Sequence, residues 1–292
     1  MDEDSRDSLV NGSHADDEEM PMETRSGEMM EVDTLDDCHC HVQEWTQRIS
    51  RVRLDDLGRT QAGFTPLRNV VTSWCWPDRW EQMPLEVIRT GTAHIWSTVG
   101  VHPNWIGQNQ FFSTDMLESW AERPECIGVG EVGLDYDKTG DMGGQEAQRK
   151  FLADAARVAH RLSKPLVLHL RDARSGVRKV HGHALDILQS SLNSGHQIYL
   201  HCFMGTGELV EKWKSSVFGI GPLIYGRDAA GMRETIMEMN ARDILLETDS
   251  PFLSALNTFH PWQVQGVCHL RDVQQKVMRQ ILAQNFRRVF NV

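Results

Sequence analysis

His39 and His41 stand one residue apart in the run Asp37-Cys38-His39-Cys40-His41, at the end of the first apolar stretch of the chain. In a β-strand, side chains at i and i+2 share a face, so both imidazoles are expected on one side and Cys38 and Cys40 on the other. One cation cannot then take all four. Further residues able to hold a divalent cation follow at regular stations: His102 in Gly100-Val101-His102-Pro103, then Glu131, His169, His201 and Asp249. Each stands at the end of a short apolar run, which a random scatter of 13 histidines would not produce. Four imidazoles and two carboxylates suit a pair of borderline divalent ions, Zn²⁺ or Mn²⁺, better than Mg²⁺, which prefers oxygen and keeps its water. We expect His39, His41, Glu131 and Asp249 around one ion and Glu131, His169 and His201 around a second. Glu131 would bridge them. Two such ions lower the pKa of a shared water and clamp the attacking and leaving oxygens of a displacement.

The elements that must position these groups are eight apolar runs, near 35–41, 68–74, 94–101, 126–132, 165–170, 197–203, 217–222 and 243–249. Continuous apolar strands separated by helical patterns imply a parallel sheet buried on both faces. The clearest helix is 146–163, with Phe151, Ala155, Val158, Ala159 and Leu162 on one stripe and Pro165 opening the next strand. Eight β/α units in about 255 residues fit an α/β fold of the TIM-type (β/α)8 barrel, whose chemistry sits at the carboxyl ends of the strands. A doubly wound sheet would call for a glycine-rich phosphate loop after the first strand, and none is present.

Composition narrows the function classes. The net charge of −11 is carried almost wholly by residues 1–33, which hold 12 of the 41 acidic and 2 of the 30 basic residues. That segment reads as a disordered acidic tail, and 34–292 as the folded barrel. A nearly neutral body argues against coating duplex DNA by charge alone. The tail has no apolar h-region and so is no signal peptide, and no run approaches the ~20 apolar residues of a membrane span. With six cysteines and no secretory signal, the thiols are expected reduced, and the protein intracellular, cytoplasmic or nuclear, and not secreted.

The blocks Asp37–His41, Gly100–Pro103, Gly128–Tyr136, Leu168–Arg171, His201–Gly205 and Glu247–Phe252 resemble, in order, those of the TatD family of metal-dependent deoxyribonucleases, over about residue 35 to Phe290. The resemblance implies a barrel nuclease acting on DNA, with RNA as a further substrate, in the 3′ to 5′ direction on single strands, using two divalent ions (Mg²⁺, Mn²⁺ or Zn²⁺). It carries over the same ligand set, His39, His41, Glu131, His169, His201 and Asp249. Related amidohydrolases bridge their metals with a carbamylated lysine where this chain has Glu131, which favours phosphodiester over C–N hydrolysis. The competing readings are an amidohydrolase or phosphotriesterase-like hydrolase of a small molecule, and a scaffold that keeps its metals without catalysis. The chain departs from the family blocks at Val42-Gln43, at Asn104 and at Phe259–Trp262, positions that bear on substrate contacts.

Within this frame Asp249 is expected to orient and deprotonate the nucleophilic water, and Glu247, two residues earlier on the same face, to orient a ligand histidine. Arg171 and His102 are candidates for phosphate contact. The basic segment Arg174–His183 is a candidate nucleic-acid loop, and its His181-Gly182-His183 triplet a weaker third cation site. Trp74, Trp76, Trp80 and Trp105 follow the second and third strands, where indole rings can stack bases; Trp76 and Trp105 are the better candidates and Trp74 and Trp80 fit core packing as well.

Overall fold

The computed structural model describes residues 34–44, 66–107, 112–139, 141–174, 179–253 and 263–292. The acidic tail, the middle of the basic loop at 175–178 and the segment 254–262 lie outside them. Eight parallel strands follow one another around a sheet, β1 (Leu35–Cys40), β2 (Leu67–Trp74), β4 (Ala93–Val99), β5 (Cys126–Asp135), β6 (Leu166–Arg171), β7 (Ile198–Leu200), β8 (Ser216–Ile220) and β9 (Ile244–Leu246). The sheet closes beyond the last strand, where Asp249 N donates to His39 O at 2.9 Å and His41 N to Ser250 O at 2.8 Å. This is the expected (β/α)8 barrel. A three-residue β3 (Ile88–Thr90), which the apolar pattern did not reveal, pairs antiparallel with β4.

The outer helices among the described residues are α1 (Thr114–Ala121), α2 (Met142–Leu162), α3 (Val180–Ser191), α4 (Gly207–Lys212), α5 (Ala230–Glu238), α6 (Gln263–Arg271) and α7 (Gln275–Phe290). Local chemistry sets their ends. The Asp141 side chain accepts from Gly144 N at 2.6 Å and starts α2, four residues before the sequence pattern suggested, and Ser163 in the left-handed region ends it. Asp172 Oδ1 accepts from the amides of Lys179 and Val180 at 2.8 and 3.0 Å and starts α3.

The barrel interior has an apolar floor of Val71, Ile127, Val167, Tyr199, Val217 and Leu245, on which Phe286, Val289 and Phe290 of α7 pack. The C-terminal helix thus closes the amino end of the barrel. Asn285 ties it down by donating to the carbonyls of Ala241 and Ile244 at 2.9 and 2.8 Å. Cys38 belongs to this interior cluster, whereas Cys40 packs in the outer core and its thiol faces Val71 O. The expectation that both cysteines share the face opposite the histidines is therefore corrected. The β1–β2 register shifts between Asp37 and Cys40, and the extra residue reverses the alternation so that Cys38 and His39 both point inward.

Candidate metal centre at the carboxyl end of the barrel

The carboxyl ends of the strands bring together all six residues singled out as ligands. Glu131 sits at the centre, almost wholly buried. One carboxylate oxygen, Oε2, faces strand β1, at 3.6 Å from His39 Nε2 and 3.7 Å from His41 Nε2. The other, Oε1, faces the opposite side, at 2.7 Å from His169 Nδ1, 3.0 Å from His201 Nε2 and 3.5 Å from His102 Nε2. Asp249 Oδ1 completes the first side, 3.2 Å from His41 Nε2 and 3.7 Å from His39 Nε2. The backbone holds Glu131 in place: its amide donates to Ser73 Oγ at 3.1 Å. Gly100 makes room for it, because a Cβ there would lie 2.5 Å from the Glu131 carbonyl oxygen.

Two carboxylates behind the ring hold the imidazoles. His169 turns Nδ1 to Glu131 and Nε2 to Asp135 Oδ2, 3.4 Å away. His201 turns Nε2 to Glu131 and Nδ1 to Glu247 Oε1 at 3.7 Å. Glu247 is fixed by Tyr199 Oη and by Cys202 N, which donate to it, and Gly219 leaves the space its carboxylate occupies. Carboxylates on the far nitrogen of a ligand histidine select its tautomer and raise its basicity. Glu247 thus lies beside His201, one of the candidate ligand histidines. Asp135 was missed as a functional residue; it lies within a quoted block, but its pairing with a neighbouring strand is invisible in the sequence.

Burial works against every charge here, and the neighbours decide the outcome. Burial raises the Glu131 carboxyl, but His201, His102 and His169 outweigh it and hold it well below the ordinary range. Asp249 is also lowered, burial being outweighed by His41. His41, His169 and above all His201 are raised in spite of burial, by Asp249, by Asp135 and by Glu131 respectively. His39 is lowered by burial, and His102 is pushed down to about 3 by the same cause.

A cation fits this donor set. His39 Nε2, which faces Glu131 and Asp249 at 3.6 and 3.7 Å, is buried without a hydrogen-bond partner among the described residues, a costly state for a polar atom. The donor atoms of His39, His41 and Asp249 lie within 4.8 Å of one another, as do those of His39, Glu131 and His201, and those of His102, Glu131 and His169.

The other candidates fall around the rim. Trp76 stacks on His102 with centroids 5.0 Å apart, and Trp105 lies 5.7 Å from Trp76, so both reach the mouth. Trp74 and Trp80 are core residues. Arg171 is half-exposed, its Nη2 3.4 Å from Asp137, and Arg174 lies 3.2 Å from the same carboxylate. Phe252, unremarked in the sequence, sits edge-on to His41 at 4.9 Å and is exposed. The His181 and His183 pair does not converge. On a helix, residues two apart diverge; His181 accepts from Trp213 Nε1 at 3.0 Å, while His183 lies 3.0 Å from Tyr136 Oη. All six cysteines are free, as expected of reduced thiols. No helix among the described residues is long and apolar enough to cross a membrane.

The model of the TatD related DNase family matches residues 36–291. A curated relative from Erwinia tasmaniensis, named 3′-5′ ssDNA/RNA exonuclease TatD, is 32% identical over 228 residues, covering 72% of this chain and 84% of its own. A relative of the same name from Citrobacter koseri is 34% identical over 164 residues, but the match spans only 60% of its length and 55% of this chain. Among solved structures, a TatD homologue from Escherichia coli superposes with a TM-score of 0.68 at 21% identity, covering 89% of this chain and 99% of its own, which speaks to the fold alone.

Proposed function

Because the chain belongs to the TatD related DNase family, we propose that it is a nuclease using two divalent cations to hydrolyse phosphodiester bonds in DNA and RNA, trimming single strands from the 3′ end. The observation that carries this reading is the division of the Glu131 carboxylate. Oε2 serves His39 and His41, and Oε1 serves His169 and His201. A side chain placed between two imidazole pairs is suited to bridge two ions. His39, His41, Glu131 and Asp249 would hold one cation and Glu131, His169 and His201 the other.

Cations bound there supply Lewis acidity, making a water nucleophilic at neutral pH and neutralising the phosphoryl oxygens. The remaining work falls to the side chains. Asp249, held ionised beside His41, orients the water and takes its proton. Asp135 and Glu247, 3.4 and 3.7 Å from the far nitrogens of His169 and His201, favour the proton there and so leave the cavity-facing nitrogens free to hold a cation. His102 stays neutral; its Nδ1 accepts from Asn104 N at 3.1 Å, so the ring proton sits on Nε2, facing the cavity, where it can donate to a phosphate oxygen. Arg171 lies at the rim, able to leave Asp137 for a phosphate. Trp76 and Trp105 offer indole faces to unpaired bases. The exonuclease names of the curated relatives support the substrate class, and the free thiols support an intracellular setting.

Metal-stripped protein incubated with 3′- and 5′-labelled single-stranded DNA and RNA, with Mg²⁺, Mn²⁺ or Zn²⁺ restored singly, tests the reading. Stepwise shortening from the 3′ end that needs a cation and vanishes in Glu131→Ala is the expected result. Two bound cations with no cleavage of any strand would overturn it and bring forward the small-molecule hydrolase or the scaffold.

A further inference from the structure

The second strand of the barrel carries none of the six ligands assigned above, yet its end reaches the same cavity. Cys75 follows β2 directly and is wholly buried with a free thiol. Its Sγ, a ring nitrogen of His41 and a carboxylate oxygen of Glu131 all lie within 4.8 Å of one another. Two hydrogen bonds fix this placement. Cys75 O accepts from His102 N at 2.9 Å, and Ser73, two residues back, accepts from the Glu131 amide at 3.1 Å. The end of β2 is thereby tied to both neighbours of the cavity, and the thiol is not a loosely held side chain that happens to point inward. A separate observation shows that this side of the cavity is built for a ligand. His39 Nε2, almost wholly buried, has no hydrogen-bond partner among the described residues and aims between Glu131 Oε2 at 3.6 Å and Asp249 Oδ1 at 3.7 Å.

We propose that Cys75 is a sulfur donor, together with His41 and Glu131, to the cation on the β1 side of the site, so that this position selects a thiophilic divalent ion, Zn²⁺ or Cd²⁺, over Mg²⁺. The inference rests on the two-cation reading of the site and refines it. With metal–donor bonds of about 2.0–2.3 Å, two donors on one ion stand at most about 4.6 Å apart, close to the 4.8 Å within which the Cys75, His41 and Glu131 atoms lie, so a small closure of the site around the ion brings all three onto it. Thiolate donors favour Zn²⁺ and softer ions, whereas Mg²⁺ takes oxygen ligands and retains its waters. The two cation positions would then differ in kind: one with a sulfur donor beside β1, the other of imidazole and carboxylate alone. A chain with Ser or Ala at this station would lose the distinction without losing any of the six other ligands.

Cd²⁺ titration of the metal-stripped full chain, followed by thiolate-to-metal charge-transfer absorption in the ultraviolet, tests the assignment without reference to catalysis. The wild type should develop the band as the cation binds; Cys75→Ser should lose it and bind Cd²⁺ about tenfold or more weakly, with Mn²⁺ binding little changed. Cys202→Ser is the control, because Cys202 N bonds Glu247 near the same ring; this variant should keep the band. A band retained in Cys75→Ser, or absent from wild type that binds Cd²⁺ stoichiometrically, overturns the sulfur donor and leaves the two-cation site standing. Failure to bind any cation overturns both. Should Cys75→Ser not fold, X-ray absorption on Zn²⁺-loaded Cys202→Ser decides: a sulfur scatterer supports Cys75, and nitrogen and oxygen alone overturn it.

Discussion

The two ends of the barrel are built on opposite principles. At the amino end, Phe286, Val289 and Phe290 of α7 lie on Val167, Tyr199, Val217 and Leu245, and the helix is anchored by Asn285 bonded to two carbonyls. At the carboxyl end, about 2% exposed, Glu131 is surrounded by imidazoles whose outer nitrogens have few partners. The first arrangement stabilises the fold by burying apolar surface. The second costs stability, since buried polar atoms without partners are expensive and buried ion pairs repay their desolvation poorly. The contrast shows that the carboxyl end is shaped for what binds there, while the amino end bears the energetic burden of holding it in shape.

Substitutions at the two ends should therefore fail in different ways. Removing the central carboxylate is expected to have the largest effect: Glu131→Ala should lower the cation-dependent cleavage rate at least ~10³-fold, in line with the loss of preorganised electrostatic groups, and reduce bound cation as read by elemental analysis, with the protein still folded. Unaltered stoichiometry would break the comparison at its centre. On the other side, Phe286→Ala should cost about 3–5 kcal/mol in urea denaturation, and the folded fraction should bind the same number of cations. If stoichiometry fell with stability, the two ends would not be separable.

Asp135→Asn should keep the fold and weaken cation binding about 10–100-fold. Its distinguishing readout is the ¹⁵N spectrum of His169, where loss of the carboxylate should change the tautomer in the cation-free protein. Trp76→Ala, measured with a cation chelated so that strands are bound but not cut, should weaken single-stranded DNA by about 1–3 kcal/mol; an unchanged affinity removes the Trp76 and Trp105 platform.

Protons sharpen the same contrast. The imidazoles of His41, His169 and His201 are raised, in spite of burial, by Asp249, Asp135 and Glu131, so a cation competes with protons for them. Binding should release protons and tighten as pH rises until these imidazoles are neutral, whereas His102, at about 3, adds nothing. Calorimetry in buffers of different ionisation enthalpy reads the number released. In the cation-free protein the sign for stability is the reverse. The raised imidazoles contribute stability below their ordinary range and lose it as pH rises through their folded values. Denaturation midpoints of the stripped protein should fall across that window, and pH-independent midpoints would contradict it.

Much of this was legible before folding. Pattern and length placed eight strands within a few residues, and the six candidate ligands stood out because a parallel barrel delivers strand ends to one face. The pattern failed where its own rules are weakest. The β1–β2 register shift turned Cys38 inward against the two-residue alternation, and β3 is too short to carry an apolar signature. Asp135 and Cys75 were present in the sequence as an unassigned carboxylate and one thiol among six. Nothing local distinguishes them, since what sets them apart is the approach of His169 on the next strand to Asp135 and of His41 and Glu131, from other strands, to Cys75.

The sequence by itself determined which chemistries were available, through residue types at strand ends, and that those strands would form one barrel, because period and spacing are properties of neighbouring residues. Tertiary structure alone decided how the groups are shared out: which oxygen of Glu131 serves which histidines, which nitrogen of each imidazole faces the cavity, and which carboxylates stand behind them. The two hydrogen bonds from Thr248 to Asp37 that help close the barrel join residues 211 apart. Such contacts are set by the curvature and register of the closed sheet, quantities to which every strand contributes and which no local stretch of sequence contains.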